Sequence, residues 1–195
     1  MRGYLLIHGL ENHRPDGHWM RYLAARLRKQ GQYVAYPQLP NPDAPVASQW
    51  LEVLDTEIDL MQEAGNDSMV VIAHSLGCVA WLKYIATHVP SLNIERVLLI
   101  APADPKLLIA APTFQDALSG DLKSLVKSHA EEVLVLAGNE DPWLPDGVIN
   151  TFGKPLGLSP IIWESAGHIS VDDGFGVWDG VVYWALDPSN DLLIR

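Results

Sequence analysis

The sequence has a single cysteine, Cys78, in 195 residues, so no internal disulfide framework can hold it. The chain must rely on a buried core, and its cysteine usage suits a reducing compartment. Cations are also scarce: 13 Lys and Arg stand against 24 Asp and Glu, a formal net charge of -11. So acidic a surface argues against nucleic acid or an anionic membrane as a main partner, since both recruit clustered cations. No apolar run approaches the roughly 20 residues of a membrane span. The opening MRGYLLIHGL is too short an apolar stretch for a signal peptide, and no small-residue cleavage site follows it. A cytoplasmic protein is expected. Linkers, repeats and low-complexity stretches are missing as well, so residues 1–195 read as one domain.

What is present is an alternation of short apolar runs with segments of helical period, the pattern of βαβ units around a parallel sheet. Strands are expected at Tyr4–Ile7, Tyr33–Tyr36, Met69–Ala73, Val97–Ile100, Val133–Leu136 and Pro160–Trp163. Helical faces lie between them: Trp19, Tyr22, Leu23 and Leu27, stopped by Gly31; Trp50, Leu54, Ile58 and Met61, ending at Gly65; and Leu76 to about His88. A last helix carries Val177, Trp178, Val181, Val182 and Ala185, with Pro188 past its end. The stretch 102–130 holds three prolines and less regular spacing, which suggests short helices and a small lid-like excursion. The expected fold is a three-layer α/β, doubly wound and mostly parallel, with about six strands in the order 2-1-3-4-5-6.

Chemistry centres on Ala73-His74-Ser75-Leu76-Gly77, set between a strand and a helix with no intervening loop. A nucleophile elbow needs small residues two before and two after the serine, because the chain reverses sharply there and the helix packs on the strand it has left. Gly77 meets one requirement, and Ala73 adds a single methyl at the other. Taken alone the pentapeptide also fits a serine that caps the next helix. Two further segments favour the nucleophile. Gly138-Asn139-Glu140-Asp141-Pro142 follows the fifth strand and can present Asp141 to a histidine, with Glu140 adjacent. Ser165-Ala166-Gly167-His168 follows the sixth, where a histidine between small residues can reach over the sheet edge. The order Ser75, Asp141, His168, each after a strand, is that of a serine triad on this fold. With strand order 2-1-3, the loop after the first strand lies beside the elbow. The backbone N–H groups of Leu76 and Leu10 are then the candidate oxyanion donors.

The elbow, the GNEDPWLP and SAGH segments and the opening His-Gly strand together resemble the α/β-hydrolase superfamily. More narrowly, the chain is similar to the small serine hydrolases related to retinoblastoma-binding protein nine, over nearly its whole length and without a large cap. The resemblance implies carboxylic-ester hydrolysis on small acyl substrates, no cofactor, and a triad of Ser75, Asp141 and His168. The rival from another class is a protein-interaction module that keeps the fold without catalysis. Its partner is undefined: the only cysteine gives Leu76-Gly77-Cys78-Val79-Ala80, not the Leu-x-Cys-x-Glu of pocket-protein ligands.

Other residues receive lesser roles. His8, Trp143 and Phe114 are candidate substrate contacts, with His8 also placed to position the oxyanion loop. His8, His13 and His18 recur at intervals of five, a spacing that puts no two on a common face, so no metal site is assigned. His74 is expected to point away from Ser75 and to pack or orient. Cys78, one turn into the helix, reads as a small buried hydrophobe. Thioesterase, lactonase, amidase and peptidase chemistry use the same triad, so the natural substrate stays open.

Overall fold

Strands that are apolar along their whole length need cover on both faces of the sheet, and this chain supplies it. A computed structural model describes residues 1–187 and Ser189. Its strands are β1 (Arg2–Ile7), β2 (Tyr33–Ala35), β3 (Ser68–His74), β4 (Asn93–Ile100), β5 (Glu132–Gly138) and β6 (Ile161–Trp163). They form one sheet in the order β2-β1-β3-β4-β5-β6, and all five pairings are parallel. The expected strand order holds, and "mostly parallel" sharpens to wholly parallel among the described residues.

The helices are α1 (Trp19–Lys29), α2 (Ala47–Glu63), α3 (Leu76–Ile85), α4 (Leu122–His129), α5 (Lys154–Leu156) and α6 (Asp179–Leu186). Successive strand residues face opposite ways, and the buried side chains divide accordingly. Leu5, Ile7, Val71, Ala73, Leu99 and Ala137 pack with residues of α2, α3 and α4. Tyr4, Leu6, Val70, Ile72, Leu98 and Leu136 pack with α1 and α6 on the other side. The result is three layers around two apolar cores. Five of the seven tryptophans are fully buried in them: Trp19, Trp50, Trp81 and Trp184 within helices, and Trp178 just before α6, which begins at Asp179 rather than at Val177 as expected.

The structure extends β4 by four residues before Val97, because Asn93–Arg96 continue the pairing with β3 past a register shift at Met69/Val70. Polar residues at the start of a strand leave no apolar signal there. The helix after Ser75 ends at Ile85, three residues short of His88. Within 102–130 lie two 3₁₀ turns, Pro105–Leu107 and Pro112–Phe114, followed by α4. A π-helical turn, Ile149–Gly153, leads into α5, and neither was foreseen. Pro188 lies outside the described residues. No described helix is long and apolar enough to cross a membrane.

Candidate active site

The C-terminal ends of β1, β3, β4 and β5 and the loop after β6 converge on one cavity of about 310 Å³. Its floor is the β3–α3 junction. Ser75 sits there with φ 56° and ψ −125°, a conformation most side chains avoid, and its N–H donates to Ile100 O at the end of β4 at 3.0 Å. A methyl at Gly77 would strike the backbone carbonyls of Ile7 and His8, which is why this turn takes glycine. Ala73, by contrast, lies fully buried in the α2/α3 core, where its methyl is accommodated.

Three side chains from the segments that follow β3, β5 and β6 meet here. His168 Nε2 lies 2.8 Å from Ser75 Oγ, and His168 Nδ1 lies 2.9 and 2.8 Å from the two Asp141 oxygens. A carboxylate only accepts, so the Nδ1 proton points at Asp141 and leaves Nε2 free to accept from the serine hydroxyl. Asp141 also takes the Trp143 N–H at 2.9 Å, which fixes the turn that carries it. Its carboxylate is fully buried, while the imidazole keeps 14% of its surface exposed toward the cavity. Glu140, the adjacent acid, is exposed.

The loop bearing His168 is strained and braced. Ser165 and Ile169 have φ 54° and 53°, and a β-branched residue in that region is a true outlier. Asp173 holds the loop from within, accepting the N–H groups of His168 and Ser170, each at 3.0 Å. Trp19 Nε1–H donates to Ile169 O at 2.9 Å, and His74 Nε2–H donates to His168 O at 2.9 Å. His74 therefore turns away from Ser75, as expected of a strand neighbour, and ties the elbow strand to the histidine loop. Burial and the nearby His168 and His18 hold its pKa well below the ordinary histidine value.

Leu10 and Leu76 flank the serine. An added Cβ on Gly9 would come within 2.7 Å of Ser75 Cβ, so the β1 loop is in contact with the elbow. Leu76 opens α3, where a first-turn N–H has no intrahelical partner, and among the described residues neither its N–H nor that of Leu10 donates to a backbone carbonyl. Trp143 and Leu10 line the cavity, with Ala103 and Leu108 from the segment after β4.

Two expected substrate contacts are corrected. His8 is fully buried beneath the loop and does not line the cavity. Its Nδ1–H donates to Gly9 O at 2.9 Å, and its Nε2 accepts the Leu39 N–H at 2.9 Å. Burial lowers its pKa to about 4, so it braces the loop as a neutral ring. Phe114 is also fully buried, edge-on to Trp50 in the α2/α3 core, because its 3₁₀ turn folds inward. His13, the middle of the three spaced histidines, is exposed and pairs with Asp43 at 2.9 Å, apart from the other two. Cys78 is buried, and burial pushes its thiol pKa up, which makes it a poor nucleophile. Sequence reasoning missed Asn12 and Asp173, and it singled out His18 only for its spacing from His8 and His13. The only available signal was that polar residues crowd the loops flanking His8 and His168.

Comparisons with known proteins bear on the fold and the family. A Bacillus subtilis protein described as a hydrolase, YdeN, is 25% identical over 173 residues, covering 87% of either chain. The crystal structure of the B. subtilis ydeN product superposes with a TM-score of 0.70 at 23% identity, over 93% of this chain and 94% of that one. A YdeN-like hydrolase from Pectobacterium atrosepticum gives 0.66 at 18% identity, over 95% and 90%. A chain from a structure described under LipS and LipT, two metagenome-derived lipolytic enzymes, gives 0.64 at 17% identity, over 86% and 85%. At these identities the structures speak for the fold. The family model described as serine hydrolase matches residues 4–185, nearly the whole chain, and the protein belongs to that family.

Proposed function

We propose that this protein hydrolyses carboxylic esters through an acyl-enzyme formed on Ser75. One observation carries the reading: the unbroken chain of hydrogen-bond contacts from Asp141 through His168 to Ser75, aimed into a cavity at the strand ends. His168 takes the Ser75 proton as Oγ attacks the ester carbonyl, and Asp141 holds the ring tautomer and stabilises the imidazolium. The tetrahedral oxyanion rests on the N–H groups of Leu76 and Leu10, the first at the positive end of α3. His168 then returns the proton to the leaving alcohol, and water repeats the sequence on the acyl-enzyme. Each oxyanion donor is worth on the order of 10²–10³ in turnover.

A non-catalytic binding module would keep the fold but need not keep three side chains in hydrogen-bond register. Turnover of short p-nitrophenyl esters separates the two. Wild type and Cys78→Ala should be active, and Ser75→Ala should fall to the background of ester hydrolysis. Turnover by Ser75→Ala equal to wild type would remove Ser75 from the chemistry.

A further inference from the structure

The wall of the cavity holds two buried nitrogens, Asn12 Nδ2 and His18 Nε2, that face each other, and no other described residue offers either one an acceptor. His18 is the N-cap of α1, and its Nδ1 accepts the Met20 N–H at 3.1 Å. Burial lowers its pKa to about 4, so the ring is neutral and its one proton sits on Nε2. What faces Nε2 is Asn12 Nδ2, 3.3 Å away. The Asn12 amide cannot be turned round to help, because its Oδ1 accepts the Arg14 N–H at 2.7 Å, and exchange would set two donors face to face there. An imidazole N–H and an amide NH₂ therefore confront each other with no acceptor between them. Both residues are at least nine-tenths buried, and both line the cavity. Unpaired buried donors are costly, so this pair is poised for an acceptor arriving from the cavity.

The pair's place in the site says what that acceptor belongs to, given the ester-hydrolase reading on which this inference rests. His168 must protonate the leaving oxygen, so the leaving group lies on the His168 side of the carbonyl, away from Leu76 and Leu10. The residues after His168 fold back onto the start of α1 through Trp19 Nε1 and Ile169 O. The rings of His168 and His74 are 5.1 Å apart, and those of His74 and His18 are 5.5 Å apart. His18 and Asn12 thus belong to the leaving-group end. Leu10, Ala103 and Leu108, continuous with the apolar core, form the contrasting wall for an acyl chain. Glu11 and Asp172 also line the cavity, neither carboxylate pairs with a cation among the described residues, and both repel an anion.

We infer that His18 Nε2–H and Asn12 Nδ2–H form a donor subsite for a neutral oxygen on the leaving group, making esters of hydroxylated alcohols the substrate class. The test holds the acyl group as butyryl and exchanges one hydroxyl for a methyl: 2-hydroxyethyl against propyl butyrate, and 3-hydroxypropyl against butyl butyrate. In wild type, kcat/KM should favour the hydroxylated ester about tenfold in at least one pair, the size of one well-placed buried hydrogen bond. Asn12→Asp supplies an acceptor for His18 Nε2–H and keeps one for Arg14 N–H, so the ratio should fall toward one. His18→Asn keeps a favoured helix cap but removes the imidazole donor, and the ratio should fall there too. A wild-type ratio near one in both pairs overturns the subsite, as does a ratio that both variants retain. Labelling of Ser75 by a fluorophosphonate in the same samples reports whether the triad is assembled. Turnover of propyl or butyl butyrate without discrimination sinks the subsite alone, whereas no turnover of any ester sinks the hydrolase reading.

Discussion

At the scale of single residues, the proposed function rests on side chains whose local conformation the fold forces. Ser75 has a positive φ, and His168 sits one residue before Ile169, a β-branched residue in the same unfavourable region. Both are held by hydrogen bonds from other elements rather than by local preference. Asp141→Asn should keep the geometry but reverse the tautomer preference of His168. Turnover should fall on the order of 10⁴-fold with little change in KM, measured by steady-state kinetics. Glu140→Gln, one residue away and exposed, should cost less than about twofold. A larger loss for Glu140→Gln than for Asp141→Asn would exchange their roles. Ser75, Asp141 and His168 were legible in the sequence because each follows an apolar strand and sits among turn residues. His8 and Phe114 misled because loop position alone does not say which way a side chain turns. The His18–Asn12 pair was invisible, since its meaning lies in which atoms donate, and spacing carries no such information.

At the scale of elements, two contacts show how helices are fixed to the sheet. Gly77 lets α3 cross the β1 carbonyls, so Gly77→Ala should destabilise by about 1–3 kcal/mol, the usual cost of forced overpacking. Loss of Tm together with loss of Ser75 labelling is expected, and an unchanged Tm would argue that the elbow can open. Arg96, buried on β4, donates to Trp184 O and Ala185 O at 2.8 and 3.1 Å, and stacks over the Trp184 ring at 4.6 Å. It satisfies the last carbonyls of α6 and places a cation at the negative end of that helix. Arg96→Met should therefore lower stability by about 2–3 kcal/mol in denaturant titration, through carbonyls left buried without donors. A loss under about 0.5 kcal/mol would mean that other donors replace it. Strand centres and long amphipathic helices were readable from periodicity. The polar start of β4 and the π-helical turn before α5 were not, because pairing and packing decide them rather than local composition.

At the scale of the whole molecule, the strand order puts the β1 loop beside the elbow, and that adjacency builds the cavity. The parallel sheet was legible from the strand–helix alternation, and the order expected with it holds. The inward fold of segment 102–130, which spends Phe114 on the core and Leu108 on the cavity, was not legible. Burying neutral histidines has a global consequence as well. His8 and His18 have folded-state pKa values near 4, against about 6.5 in the unfolded chain. Between those values the unfolded chain binds more protons, so stability is complete above about pH 6.5 and is lost as pH falls toward 4. Each group contributes on the order of 3 kcal/mol across that window. Urea titrations from pH 7 to 4 should show a steep decline, and a flat profile would mean that these rings are protonated in the fold. The most direct test of the central claim is mass mapping of the protein after reaction with a fluorophosphonate. A single adduct on the peptide containing Ser75, near one per chain and absent in Ser75→Ala, is the expected result. An adduct elsewhere, or full labelling of the Ser75→Ala protein, would contradict it.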